Sequence, residues 1–257
     1  MKSKALLSSI IFAMILLNTN TLCAQSTNAD SAWKKSYKNI IRYNLSGALL
    51  FGFDNYIIFG YERMVNPHQS FSINIGGVAL PKFVSVNTDS FSLQKDVKNT
   101  GFNLSVDYRF YLPHENKYEA PRGVYIGPYF SYNHFDRSND WVFEESGAEQ
   151  KPVTTTTNFS IYTVGGELGY QFVFWRRLAL DLVLIGPGIS GYHLKSKIDG
   201  DLTEAEKANL QDALKQLITQ KFPGMNYVFA DKEFNGNGVI NTTSIGFRYM
   251  VHVGFCF

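Results

Sequence analysis

The last nineteen residues, Val239 to Phe257, read VINTTSIGFRYMVHVGFCF. Their odd-numbered positions are apolar or aromatic except Asn241 and Thr243, and the positions between them are mostly small or polar. A β-strand turns successive side chains to opposite faces, so this segment is a strand with one apolar face and one face that accepts Arg248. The closing strand of a transmembrane β-barrel needs such a pair of faces, because one contacts lipid and the other a polar lumen.

Seven earlier segments alternate in the same way. They are residues 39–51, 56–65, 70–79, 100–112, 123–135, 158–174 and 178–193. The segment 123–135 is aromatic on both faces, so its orientation stays open, and Gly186-Pro187-Gly188 interrupts the pattern of the last one. Together with the terminal segment they make eight, an even number. This pattern predicts an all-β fold, an eight-stranded antiparallel up-and-down transmembrane β-barrel.

The connections between these segments differ in length at the two ends of the predicted barrel. One end has the shorter connections, residues 66–69, 113–122 and 175–177, and the other has residues 52–55, 80–98, 136–157 and 194–238. Short periplasmic turns and longer outer loops are typical of these barrels. The sequence therefore places both chain ends in the periplasm and the loop 194–238 outside.

The last outer loop contains a predicted helix, at about residues 202–222. Thr203 and Glu206 have the spacing of a capping box. An apolar stripe follows, formed by Leu210, Ala213, Leu214, Leu217 and Ile218. We expect this stripe to pack against the loop or the barrel rim, with contact to lipid or a partner as the alternative.

The first 24 residues are typical of a secretory signal peptide. Lys2 and Lys4 precede a short apolar run, which predicts cleavage after Ala24 and a mature barrel domain of residues 25–257. Acylation of Cys23 is an alternative, but the residues before it lack the expected small side chain. Cleavage would leave Cys256 as the only cysteine, on the lumen face, and would leave no intramolecular disulfide.

Composition agrees with a membrane barrel more closely than with a nucleic-acid-binding protein. Charged residues are 18% of the chain, below the roughly 25% of soluble domains. The formal charge of +2 falls to zero when the two lysines of the signal peptide are removed (+2 − 2 = 0). No basic stripe remains to bind nucleic acid.

The polar faces of the strands carry charges of both signs. They are Arg42, Glu62, Asp107, Arg109, Glu167, Asp181 and Arg248. Lone charges in a narrow lumen would be costly, so we predict a structural ion-pair network in which Glu62 bridges to Arg42. Pairing of the first and last strands predicts Arg42 and Arg248 as neighbours. An ion path or a ligand site is the alternative, and the spacing does not favour it.

The signal peptide, the alternating segments and the terminal Phe257 resemble small outer-membrane barrels of Gram-negative bacteria, the OmpA/OmpX-like type. The Ala24-Gln25 junction and the stretch Tyr61-Glu62-Arg63 also resemble uncharacterised barrels of Bacteroides-like bacteria. The resemblance implies an outer-membrane location, contact with lipid and lipopolysaccharide, and recognition by the barrel-assembly machinery. The residues that match the family's C-terminal assembly pattern are Tyr249, Val251, Val253, Phe255 and Phe257. The long helical loop departs from OmpX-like proteins.

The sequence predicts no enzyme and no cofactor. It also predicts no metal site, because its five histidines are scattered and no Cys/His cluster has ligand spacing. The expected role is structural, or surface binding and adhesion through outer loops whose ligand the sequence does not identify. One alternative is a lipid A-modifying acyl hydrolase, in which His134 pairs with Ser131 or Ser138, or His193 pairs with Ser190 or Ser196. Another is a soluble lipocalin-like barrel, which would turn its apolar face inward.

Overall fold

The structure is a computed structural model that describes residues 37–80, 87–88, 91–143, 151–221, 225–229, 231–235 and 238–257. The strands are β1 (Asn39–Asn44), β2 (Tyr56–Asn66), β3 (Gln69–Val78), β4 (Asn87–Thr88), β5 (Phe91–Tyr111), β6 (Gly123–Phe143), β7 (Lys151–Phe174), β8 (Leu178–Asp199) and β9 (Val239–Cys256). The helices are α1 (Leu45–Phe51), α2 (Glu204–Lys221) and α3 (Met225–Phe229). The predicted signal peptide, with Cys23, lies outside the described residues.

Eight of these strands form one closed antiparallel ring. Each long strand pairs with the next along the chain, β3 pairs directly with β5, and β1 pairs with β9. The two-residue strand β4 lies beside β5 only and is not part of the ring. The even strand number and the antiparallel pairing follow the sequence prediction. None of the described helices is long and apolar enough to cross a membrane.

The wall of the ring is taller on one side than the sequence predicts. Strands β5, β6 and β7 continue far into the stretches 80–98 and 136–157 that were predicted as loops, with Lys98 opposite Ser138 and Asn139 opposite Thr155. Strand β8 likewise continues to Asp199, into the predicted loop 194–238. Threonine is β-branched and favours strands, so the polar run 154–157 extends β7 rather than forming a loop. Likewise Gly186-Pro187-Gly188 does not end β8, because a bulge between Val183 and Gly186 absorbs the irregularity.

The first predicted strand is the clearest error, since β1 ends at Asn44 and residues 45–51 are the helix α1. The Asn44 side chain accepts a hydrogen bond from the backbone N–H of Gly47 at 3.3 Å, and asparagine is among the preferred N-cap residues. Among the described strands, none pairs with the β1-side edge of β9 along residues 239–251. The ring is therefore closed at one end only along this seam.

The two faces of the ring differ sharply in chemistry. Large apolar side chains of every ring strand point outward and are exposed, among them Ile41, Phe59, Ile75, Val106, Phe130, Val164, Ile189 and Phe255. Charged and polar side chains point inward and are buried. The inward residues of β6 include Tyr125, Tyr129 and Phe135, which settles the orientation left open for that segment. Charges inside and apolar residues outside are the reverse of the lipocalin-like alternative.

Helices α2 and α3 cover the end of the ring where the longer connections lie. The predicted capping box forms, because Glu206 accepts from the backbone N–H of Thr203 and the Thr203 hydroxyl accepts from that of Glu206. The predicted stripe of α2 is buried at Leu210, Ala213, Leu214 and Ile218, whereas the side chain of Leu217 lies outside the description. Helix α3 was not predicted, and its Phe229 packs into an apolar cluster with Phe159 and Tyr192. We refer to this as the loop-end cluster.

Candidate functional site

The seven charged side chains singled out in the sequence lie inside the ring and form one connected network. Arg109 is its centre, with Nε 2.6 Å from Asp107 Oδ1 and Nη2 2.9 Å from Asp181 Oδ2. Its Nη1 is 3.4 Å from Glu62 Oε2, and its Nε is 3.7 Å from Glu167 Oε1. We call this network the interior ion-pair cluster.

Arg42 is the second cation of the interior ion-pair cluster and shares the same carboxylates. Its Nη1 lies 3.2 Å from Asp181 Oδ2 and 3.5 Å from Glu62 Oε2, and its Nη2 lies 3.3 Å from Asp107 Oδ2. The predicted bridge between Arg42 and Glu62 is therefore present. Each cation faces several anions, as a desolvated charge requires.

Arg248 belongs to the interior ion-pair cluster, but it does not lie beside Arg42 as the sequence predicts. It contacts Glu167, and its Nη2 is 4.0 Å from Asp107 Oδ2. Arg42 pairs in register with Gly254 rather than with Arg248. The prediction that the two arginines are neighbours is therefore wrong, because the register between β1 and β9 sets Arg42 several residues along the strand from Arg248.

Neutral side chains complete the interior ion-pair cluster. Ser72 donates to Asp107, Tyr125 donates to Asp181 Oδ1 at 2.7 Å, and Tyr111 donates to Glu62. Gln171 accepts from Arg109, and His252 lies 3.0 Å from Asp181. Every strand of the ring thus contributes at least one side chain. The alternation that located the charges also placed Gln171 and His252 on the polar faces, but their partners depend on strand register.

The predicted pairs of histidine and serine do not form. Alternation along β6 and β8 turns His134 and His193 outward, whereas Ser190 and Ser196 are buried inside. The Nδ1 atom of His193 is 2.6 Å from Asn241 Oδ1, not from a serine. Ser131 borders an interior cavity and so lies on the face opposite His134.

His134 does have a serine partner, which the sequence did not reveal. Its Nδ1 is 2.8 Å from Ser160 Oγ, directly across the β6–β7 pair. Its Nε2 is 3.4 Å from Asp136 Oδ1, and the Tyr132 hydroxyl is 3.4 Å from Ser160 Oγ. Finding Ser160 from the sequence would have required the register between the fifth and sixth segments.

The arrangement of Ser160, His134 and Asp136 has the order of groups that activates a serine. When the imidazole carries its proton on Nε2, Nδ1 can accept the Ser160 proton and Asp136 can accept a hydrogen bond from Nε2. Tyr132 supplies a hydroxyl close to the nucleophile. These side chains lie on the outer face, beside the exposed ring of Phe102.

The five C-terminal residues that match the assembly pattern are on the outward side of β9. Tyr249, Val253, Phe255 and Phe257 are exposed and Val251 is half-buried. Cys256 is a free, buried cysteine on the interior side. Within the described ranges, no group of three or more His, Cys, Asp or Glu residues could hold a metal ion.

No protein-family model matches this sequence, and no curated protein is significantly similar to it.

Proposed function

We propose that this protein is an outer-membrane β-barrel whose ring of strands spans the bilayer. The observation that carries the proposal is the reversal of the usual soluble pattern, with apolar side chains outside and paired charges inside. Pairing around the ring leaves few backbone groups unpaired at the level where β1 meets β9, which is what hydrocarbon requires of a sheet. A sheet in water would gain nothing from exposing so many large apolar residues.

The role of this barrel is structural, or surface binding and adhesion at the end covered by α2 and α3. The interior ion-pair cluster favours a structural interior, because it fills the ring with side chains that hold all its strands in register. An eight-stranded ring has a narrow interior, which side chains can fill and which has room for at most one small ligand. The ends of β5 to β8 extend past the ring and present polar side chains for binding.

Fractionation and gel mobility test the membrane proposal. We expect the protein in the outer-membrane fraction, and we expect it to migrate differently in detergent gels before and after heating, because the closed ring resists detergent until it is heated. Recovery as a soluble periplasmic protein would refute the proposal.

A second candidate function is hydrolysis of a carboxylic ester, supported by the geometry around Ser160. The Ser160 oxygen would attack the carbonyl carbon while its proton passes to His134 Nδ1, and the Tyr132 hydroxyl would donate to the oxyanion. The alcohol would leave with that proton. Water would then cleave the acyl-serine, releasing a carboxylic acid and restoring the free serine.

Mass spectrometry of lipid vesicles incubated with the purified protein separates the two candidates. The structural role predicts that phospholipid and lipid A esters remain intact. Release of fatty acid that S160A abolishes and S138A preserves would establish the hydrolase. Ser138 is the matched control, because it lies on the same strand as His134 without a hydrogen bond to it.

A further inference from the structure

A cavity of about 530 Å³ lies inside the ring, between the interior ion-pair cluster and the loop-end cluster. It borders the interior ion-pair cluster at Arg248, and it borders the loop-end cluster at Tyr192 and Val228. Its volume falls within the range of about 300–1,000 Å³ that is typical of small-molecule sites.

The cavity reaches the wall of the ring at the β1-side edge of β9. Five consecutive residues of β9, numbers 244 to 248, line it. Side chains of a strand alternate between faces, so one face would supply only every second residue. The cavity therefore runs along the edge of β9, where β1 has already ended.

Burial of the inward side chains of β9 changes at the point where β1 ends. The inward residues His252, Gly254 and Cys256 are buried where β1 pairs with β9. The inward residues Ser244 and Gly246 are only partly buried beyond that pairing. The outer surface here is apolar, since Ile245 is 71% and Phe247 61% exposed. The edge of β9 that borders the cavity thus adjoins the apolar outer belt, while Met225, Tyr227 and Val228 of α3 border the cavity at the loop end.

The lining combines apolar and neutral hydrogen-bonding groups. Ile161, Met225 and Val228 supply the apolar part, and Ser131, Thr163, Ser190 and Ser244 supply hydroxyls. Among the lining residues that the structure describes, Arg248 alone is charged, and it is paired with Glu167. This chemistry suits an aliphatic chain that carries an uncharged oxygen, and it offers no free charge to an ion.

We propose that this cavity binds an aliphatic chain bearing a hydroxyl or ester oxygen, which enters sideways past the edge of β9 along which no described strand pairs. The inference rests on the proposed membrane location, because this edge of β9 adjoins the exposed Ile245 and Phe247, which would contact lipid. The chain can belong to a bilayer lipid or to a free long-chain alcohol, which share this chemistry. Its oxygen would also supply a partner to a backbone edge that otherwise meets hydrocarbon.

Gly246 keeps the entrance free. A Cβ atom at this position would lie 2.6 Å from the Ser190 hydroxyl and inside the cavity. The side chain of Ser190 can rotate to relieve that contact, so G246L should fold and should fill the space that the chain would occupy.

Quenching of tryptophan fluorescence by bromine tests this site in the full chain reconstituted in vesicles. The variant I161W places the probe in the cavity, and F159W is the matched control two residues away on the same inward face of β7, in the loop-end cluster. The variant V164W places a probe on the outward face. The native tryptophans contribute the same background fluorescence in all variants.

Two arms identify the source of the chain. In the first, the vesicles consist of phosphatidylcholine brominated on one acyl chain, and in the second, brominated long-chain alcohol is added to unbrominated vesicles. We expect quenching of I161W to be several-fold stronger than that of F159W in at least one arm, and to fall to the F159W level when G246L is added. Quenching in the first arm identifies a lipid chain, and quenching in the second alone identifies a free one.

Different quenching results would refute the cavity site and the membrane proposal. Strong quenching of V164W with equal quenching of I161W and F159W in both arms would overturn the cavity site and leave the membrane location standing. Quenching of I161W that G246L leaves unchanged would also overturn it. Absence of quenching at V164W would refute the membrane location itself.

Discussion

The guanidinium of Arg42 on β1 and the carboxylate of Asp181 on β8 lie 3.2 Å apart across the inside of the ring, although 139 residues separate them in sequence. Asp181 also accepts from Arg109 and Tyr125. We expect D181N to destabilise the protein by about 3–5 kcal/mol, because it removes the partner of buried cations while preserving shape. Urea unfolding in detergent micelles, followed by far-UV circular dichroism, measures the change.

The control for that prediction is D199N. Asp199 pairs with Lys197 at the exposed end of β8, where an ion pair contributes roughly 0–1 kcal/mol. Equal effects of D181N and D199N would contradict the role of the interior ion-pair cluster in holding the strands together.

The apolar belt gives a direct test of whether the outer face meets lipid. Val164 is 61% exposed, and an arginine there would cost about 2–4 kcal/mol near the middle of a bilayer. The same change on a water-exposed surface stays within about 0.5 kcal/mol. We therefore expect V164R to lower the free energy of unfolding markedly when folding is measured in vesicles.

Val97 provides the matched control for V164R. It is 52% exposed and lies on the extension of β5 between Lys95 and Lys98, where contact with water is expected. We expect V97R to have almost no effect in the same assay. Large losses in both variants, or in neither, would argue against a lipid belt at the level of Val164.

The sequence predicted the ring because its strands alternate, and alternation depends only on local side-chain geometry. It also located the seven interior charges, since strand alternation assigns each of them to a polar face. It failed at residues 45–51, where an apolar run fits a strand as well as a helix and the hydrogen bond from Gly47 to Asn44 decides. It missed Ser160, because cross-strand partners depend on a register that periodicity does not fix.

The capping box at the start of α2 should make the helix sensitive to acid. The backbone N–H of Thr203 holds the pKa of the Glu206 carboxyl below its usual value of 4.5. Because the folded pKa is the lower one, this stabilisation is complete above pH 4.5 and is lost as the pH falls through the folded value. Hydrogen-exchange protection of α2 amides should therefore fall in acid, and E206Q should show weak protection that does not change with pH.

The control for the acid effect is E204Q. Glu204 pairs only with Lys207 on an exposed surface of the same helix. We expect E204Q to keep the pH dependence of the native chain. A pH response that survives in E206Q would assign the acid effect to another group.

Protease added to whole cells tests the orientation of the barrel. Lys232 is exposed in the segment that follows α3, and the proposed topology places this segment outside the cell. We expect trypsin to cut there in intact cells, and we expect K232Q to remove the cleavage. Cleavage that requires prior opening of the outer membrane would invert the topology.

The edge of β9 that faces α1 gives the most local test of the membrane environment. The backbone N–H of Val251 donates to Ser46 Oγ at 2.6 Å, at the point where β1 has been replaced by α1. The variant S46A leaves that N–H without its partner, which costs about 1–3 kcal/mol where water cannot replace it. Water would satisfy the same group on a solvated edge, and the cost would then almost vanish. We expect S46A to lower the free energy of unfolding in vesicles and S46T, which keeps the hydroxyl, to retain most of it, whereas equal stability of S46A and the native chain would show that water reaches this edge.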